Sequence, residues 1–127
     1  MLGAVEIGVS TPTTKETGMA TYLIRGQYSN AAFNGMITSP HDRGVAAKAM
    51  FKVVGVKCRE IYFSVSAAEI VCLIEGTVEQ LAEIGMITMA SGVFSRSRAD
   101  ELISTASMAS AMKKAGAVSG KYKPPNQ

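Results

Sequence analysis

Residues 60–76, EIYFSVSAAEIVCLIEG, constrain the fold more than any other stretch. They hold no proline and no internal glycine, and they are rich in β-branched and aromatic residues. At about 3.3 Å per residue, one strand of that length would outrun an ordinary sheet. The small residues Ser66, Ala67 and Ala68 can turn the chain. The stretch therefore reads as a hairpin, with one strand over 56–65 and another over 69–75. The first arm alternates, with Cys58, Glu60 and Tyr62 on one side and Arg59, Ile61, Phe63 and Val65 on the other. The second arm does not, because Ile70, Val71, Cys72, Leu73 and Ile74 are apolar without a break. Such a strand calls for cover on both faces.

The flanking segments supply the other elements. TYLIRGQY, 21–28, is a first strand. Ser29 N-caps a helix carrying Phe33, Met36 and Ile37 on one face, and Ser39-Pro40 breaks or restarts it. From Arg43 the pattern is helical, with Ala46, Ala49, Met50 and Val53 on one face and Gly55 as the terminating residue. Ser39 is read as the N-cap of this second stretch, which puts His41 in its first turn. Thr77 and Gln80 form a capping-box pair for a helix to about Ala90, packing through Val78, Leu81, Ala82 and Gly85. VFSRSR, 93–98, is a fourth strand, and 99–116 a final helix with Leu102, Ala106, Ala109 and Met112 in a stripe.

The order is β-α-β-β-α-β with a C-terminal helix. This is the ferredoxin-like α+β arrangement, a four-stranded antiparallel sheet with helices on one face. The chain divides into an extension (1–18), the sheet domain (19–98), the C-terminal helix (99–116) and a flexible tail (117–127). Helices cover only one sheet face. The other face of Ile70–Ile74 must be closed by the C-terminal helix or by a second copy of the sheet. A homodimer, or a higher homo-oligomer built from such dimers, is expected, with each subunit presenting the same patch.

Composition excludes several classes. The 127 residues suit one domain, 47% are apolar and only 18% charged, which argues against disorder. No apolar run approaches the roughly 18 residues of a membrane helix. The N-terminal MLGAVEIGVSTPTTKETG lacks a basic start and a long apolar core, so it makes a poor signal peptide, and a cytoplasmic location is expected. After Glu101 there are no acids, while Lys113, Lys114, Lys121 and Lys123 follow. Cations near a helix C-terminus followed by a solvated tail account for this. Nucleic-acid contact is disfavoured because no aromatic platform is interleaved with the lysines.

Cys58 and Cys72 are too few for a zinc site and read as reduced thiols. There is no phosphate loop, nucleophile elbow or metal-spaced cluster. The residues point to no cofactor. His41, the single histidine, is followed by Asp42 and Arg43, but neighbours in sequence do not face each other on a helix. A histidine at a cavity mouth can nevertheless act as a base. Tyr22, Tyr28, Tyr62, Phe63, Glu69 and Arg25 lie on strands, where polar groups beside aromatics can line a cavity. Of these, Tyr22, Tyr62 and Glu69 make up, with His41, the candidate ligand-binding set. Arg25 and Glu69 are also candidates to pair, with each other or with a second subunit.

From Ala20 to about Arg98 the chain resembles the GYD-domain family, small proteins of the dimeric α/β-barrel type. The resemblance is carried by ATYLIRGQYS, SPHDRGVAAKAMFKVVGVK and EIYFSVSAAEIVCLIEG. The family takes its name from a Gly-Tyr-Asp tripeptide near the hairpin turn. Ser66, Ala68 and Glu69 occupy that region here, with Glu69 keeping the acid and the glycine and tyrosine absent. The resemblance implies a dimeric barrel whose biochemical role is unassigned. Two functions fit: an oligomeric small-ligand-binding or structural domain, and a cofactor-free oxygenase or isomerase working in the barrel cavity. Tyr22, Tyr62 or His41 pointing into the cavity would favour the enzyme. Walls of Leu, Ile and Met would favour the binding domain.

Overall fold

The computed structural model describes residues 18–126. The extension expected over 1–18 therefore lies outside the described residues apart from Gly18. Strand β1 (Ala20–Tyr28) leads into helices α1 (Asn30–Thr38) and α2 (Arg43–Val54). The hairpin β2 (Lys57–Ser64) and β3 (Glu69–Gly76) follows, then α3 (Val78–Ala90) and β4 (Phe94–Leu102). A last helix, α4 (Thr105–Val118), runs into a 3-10 turn at Ser119–Lys121. The four strands form one antiparallel sheet in the order β2-β3-β1-β4. This is the ferredoxin-like α+β plan, with the first crossover split into two helices and a fourth helix appended.

The hairpin forms as its sequence requires. Tyr62 pairs with Val71 and Ser64 with Glu69, and a bulge at Cys58–Glu60 shifts the register. The turn needs one left-handed residue, and Ala68 takes that conformation at φ 56°. β3 then alternates in burial. Ile70, Cys72 and Ile74 are 7%, 3% and 0% exposed beneath the helices, while Val71 and Leu73 turn to the opposite face. The same inner face takes Tyr22 and Tyr28 from β1, Phe51 from α2 and Ile84 from α3.

Local signals fix most helix ends. The Ser29 hydroxyl accepts from the Ala32 amide at 3.2 Å. Thr77 and Gln80 close the capping box in both directions, at 3.1 and 2.9 Å. Gly55 ends α2 at φ 96°, a conformation that disfavours any side chain.

Five expectations need correction. The N-cap of α2 is Asp42, whose carboxylate accepts from the Gly44 amide at 2.8 Å, so Ser39 is not the cap and His41 precedes the helix. The inward face of α2 is Ala47, Met50, Phe51 and Val54, leaving Val53 88% exposed. Burying the phenyl ring of Phe51 outweighs burying Val53, and the helix turns to suit it. In α3, Leu81 and Ile84 pack inward while Val78 and Ala82 lie outside. Similarly Ile37 of α1 is exposed although Phe33 and Met36 pack on the core.

The fifth correction is the largest. Ala99–Leu102 is strand, not helix, because β1 offers an unpaired edge as far as Thr21, which pairs with Leu102. Backbone pairing overrides the helix propensity of Ala-Asp-Glu-Leu. Helix α4 starts four residues after Glu101 behind the Ser104 cap, and it extends past Gly116 to Val118. Lys113 and Lys114 consequently lie short of its last turn. Every residue from Glu101 to Lys123 is exposed. Helix α4 therefore does not cover the second sheet face.

Candidate functional site

Between the sheet and helices α2 and α3 lies a cavity of about 250 Å³. Its floor is Ile24, Gly26 and Ile70 of the sheet, and its walls include Met50 and Phe51 of α2 and Ile84 of α3. The absence of a side chain at Gly26 lets the Phe94 ring lie directly on β1. A Cβ there would fall 2.7 Å from the ring. Phe94 stacks on Tyr28, with ring centroids 4.8 Å apart, and Phe33 meets Tyr28 edge-on at 5.7 Å. Tyr28 and Phe94 form one end of the cavity, with Phe33 backing Tyr28.

Arg43 stands at this end as the first residue of α2. Its guanidinium lies 5.8 Å from the Tyr28 ring centroid, within cation–π range. Its Nη1 donates to Nε2 of His41 at 3.1 Å, and Nδ1 of His41 donates to the Ser39 carbonyl at 2.8 Å. A carbonyl only accepts and a guanidinium only donates, so the pair of bonds selects the neutral tautomer protonated at Nδ1. In that form the free lone pair of His41 is engaged by Arg43. His41 thus orients the arginine at the rim and does not itself line the cavity.

The cavity thus offers an apolar chamber, an aromatic end and one cation. Cys72 contributes a thiol to its lining. Burial pushes that thiol up to about 12, with Cys58 on the adjacent strand adding to the effect. A neutral thiol is a poor nucleophile. Among the described residues no group of three or more His, Cys, Asp or Glu is arranged to hold a metal. No helix among them is long and apolar enough to cross a membrane.

The four candidates from the sequence fall in separate places. Tyr22 points to the helix side and is 5% exposed, but it lies six residues along β1 from Tyr28, about 20 Å away. Burial first, then Glu101 across the strand pair, holds its phenol above the usual range. Tyr62 and Glu69 lie on the opposite, open face of the sheet, where their strand partners are Val71 and Gln27. The Tyr62 hydroxyl donates to Glu60, and this bond raises the phenol pKa. Glu69 sits 3.8 Å from Arg96, not on Arg25. Arg25, Arg96 and Arg98 gather with Glu69 around a polar cleft on that face.

Sequence reasoning named Tyr28 among the groups able to line a cavity but did not join it to Arg43 and Phe94. The available signal was the aromatic closing β1 and the arginine opening α2, brought together by the short crossover. No protein-family model, curated protein or solved structure matches this chain.

Proposed function

We propose that this protein is an oligomeric small-ligand-binding domain of the GYD type, taking its ligand into the cavity between sheet and helices. The apolar chamber with a single oriented cation at its aromatic end carries this reading. Its volume of about 250 Å³ sits just under the roughly 300–1,000 Å³ of drug-sized sites, so the ligand is small. The chemistry that fits is a flat apolar body bearing one anionic group, such as an aromatic carboxylate. The ring stacks at the Tyr28–Phe94 end and the carboxylate meets Arg43. Tyr22, Tyr62 or His41 in the cavity wall would have favoured an oxygenase or isomerase, and none of them lines it. Ile, Met and Phe walls favour binding over catalysis.

The oligomer rests on the other sheet face. Leu23, Val71 and Leu73 are its apolar centre, since Leu23 pairs with Leu73 across β1 and β3. Helix α4 leaves this face open, which leaves a second copy as the cover. Full burial of each such side chain contributes roughly 1.5–3 kcal/mol. The departure from the Gly-Tyr-Asp tripeptide bears on the hairpin turn and leaves both the cavity and this apolar centre intact.

Titration with 2-naphthoate, followed by its fluorescence, tests the cavity. Saturable binding is expected for the wild type, with weaker binding in Arg43→Gln and none in Ile84→Trp, where the indole fills the chamber. Binding that is equal in all three proteins, or absent from the wild type for naphthoate, benzoate and naphthalene alike, refutes the reading. Sedimentation of Val71→Lys tests the oligomer, with dissociation to monomer as the expected result.

A further inference from the structure

The open sheet face is not evenly neutralised. Arg59 pairs with Glu75 at 2.7 Å, Arg96 approaches Glu69 at 3.8 Å, and Arg98 pairs with Asp100 at 3.2 Å. Beside the apolar centre two charges are left. The Arg25 side chain makes no ion pair or hydrogen bond among the described residues, and its Nε is closed off from solvent without a partner. The Glu60 carboxylate accepts only from the Tyr62 hydroxyl and meets no cation among the described residues. Lys57, also without an ion pair, is exposed at the outer end of the edge strand, next to Glu75.

Arg25 also faces Arg98 directly across the β1–β4 pair. Like charges so opposed destabilise a sheet, and the nearby acids are taken by other arginines, Asp100 by Arg98 and Glu69 by Arg96, which leaves Arg25 uncompensated. A buried guanidinium nitrogen with no acceptor carries a desolvation cost of its own. Glu60 of the same chain does not reach it. Arg25 lies on β1 beside Val71, Glu60 lies on β2 beside Leu73, and β3 runs between them. Two strand spacings, about 10 Å, separate them in the hydrogen-bonding direction alone.

That same placement makes the two charges complementary between copies. When two sheets face each other about a twofold axis lying between them, the axis exchanges positions on either side of its line. An axis passing over β3 between Val71 and Leu73, and set perpendicular to the diagonal from Arg25 to Glu60, carries the Arg25 position onto Glu60 and the Glu60 position onto Arg25. It leaves Val71 and Leu73 at the centre of the contact. We propose that the second copy's Glu60 is the missing counter-charge of Arg25, and that two such reciprocal pairs set the register of the sheet-to-sheet dimer. Tyr62, bonded to Glu60, holds each carboxylate in place for this contact. The inference rests on the dimer reading above and specifies which residues each copy contributes. A desolvated pair of this kind gives specificity more than raw affinity.

Charge reversal tests it by sedimentation velocity across micromolar concentrations, with circular dichroism to follow folding. Arg25→Glu and Glu60→Arg should each weaken the dimer by about a hundredfold or more, because each places two like-charge contacts in the interface. The double variant Arg25→Glu/Glu60→Arg should dimerise again. Mixing the two single variants should yield a heterodimer, since every contact then joins opposite charges. A wild type that stays monomeric overturns the dimer itself. A wild-type dimer whose single variants associate normally overturns only the Arg25–Glu60 contact. Failure of both the double variant and the mixture to associate does the same, including where the single variants do not fold alone.

Discussion

Gly26→Ala joins the packing of the sheet to the proposed ligand cavity, and its effect can be worked from the structure. An added Cβ would lie 2.7 Å from Cε1 and 2.9 Å from Cδ1 of Phe94. Carbon contacts settle near 3.5–4.0 Å, so the ring has to move by about 1 Å. It cannot move freely, because it stacks on Tyr28, which is itself held edge-on by Phe33. The open direction is into the cavity that Phe94 lines. Overpacking of this kind costs about 1–3 kcal/mol, and relief of the glycine's backbone entropy returns roughly 0.5–1. The expected net loss is about 1–2 kcal/mol, or a fall in Tm on the order of 5–10 °C for a domain of this size. Naphthoate binding should weaken in the same variant. Urea denaturation of Gly26→Ala, Phe94→Leu and the double variant measures the coupling, and the two costs should be less than additive because the leucine removes the clash. A neutral or stabilising Gly26→Ala, or strictly additive costs, would refute the close approach of Phe94 to β1.

Ala68→Gly should raise stability by about 0.5–1 kcal/mol in urea denaturation, because Ala68 sits at φ 56°, where an L side chain is strained. Thr77→Ala should lower it by about 1 kcal/mol through loss of the capping box that starts α3. Stability should fall as pH rises from about 9 towards 12, because the Cys72 thiol is held protonated up to about 12 in the fold while the unfolded chain releases its proton near the ordinary 9.0. The unfolded state then binds fewer protons, which favours unfolding. Cys72→Ala should flatten that slope between pH 9 and 10 in thermal melts, below the range in which Tyr22, also raised, contributes with the same sign.

The parts of the fold legible in the sequence are those decided locally. Seventeen residues without a break-point glycine are too long for one strand, and Thr77 with Gln80 marks a helix start wherever the helix later packs. The misread parts were settled at a distance. Ala46, Ala47 and Ala49 give α2 nearly uniform hydropathy, so its inward face depends on where Phe51 finds room beneath α3 and the sheet. Ala99 to Leu102 have good helix propensity, and only the length of β1 requires them as strand. The cap of α2 was read at Ser39, and the chain past Pro40 instead starts its helix at Asp42, whose carboxylate meets the Gly44 amide. The candidate site was harder still. Its walls come from five separate elements, and what makes it a site is the space they leave. Arg43 could be read as a helix-opening residue, but its contact with Tyr28 depends on the α1–α2 break folding back over β1. Arg25 and Glu60 show the other limit. Each is an ordinary strand charge in the sequence, and only the register, which puts one beside Val71 and the other beside Leu73 with β3 between, turns two solitary charges into a complementary pair.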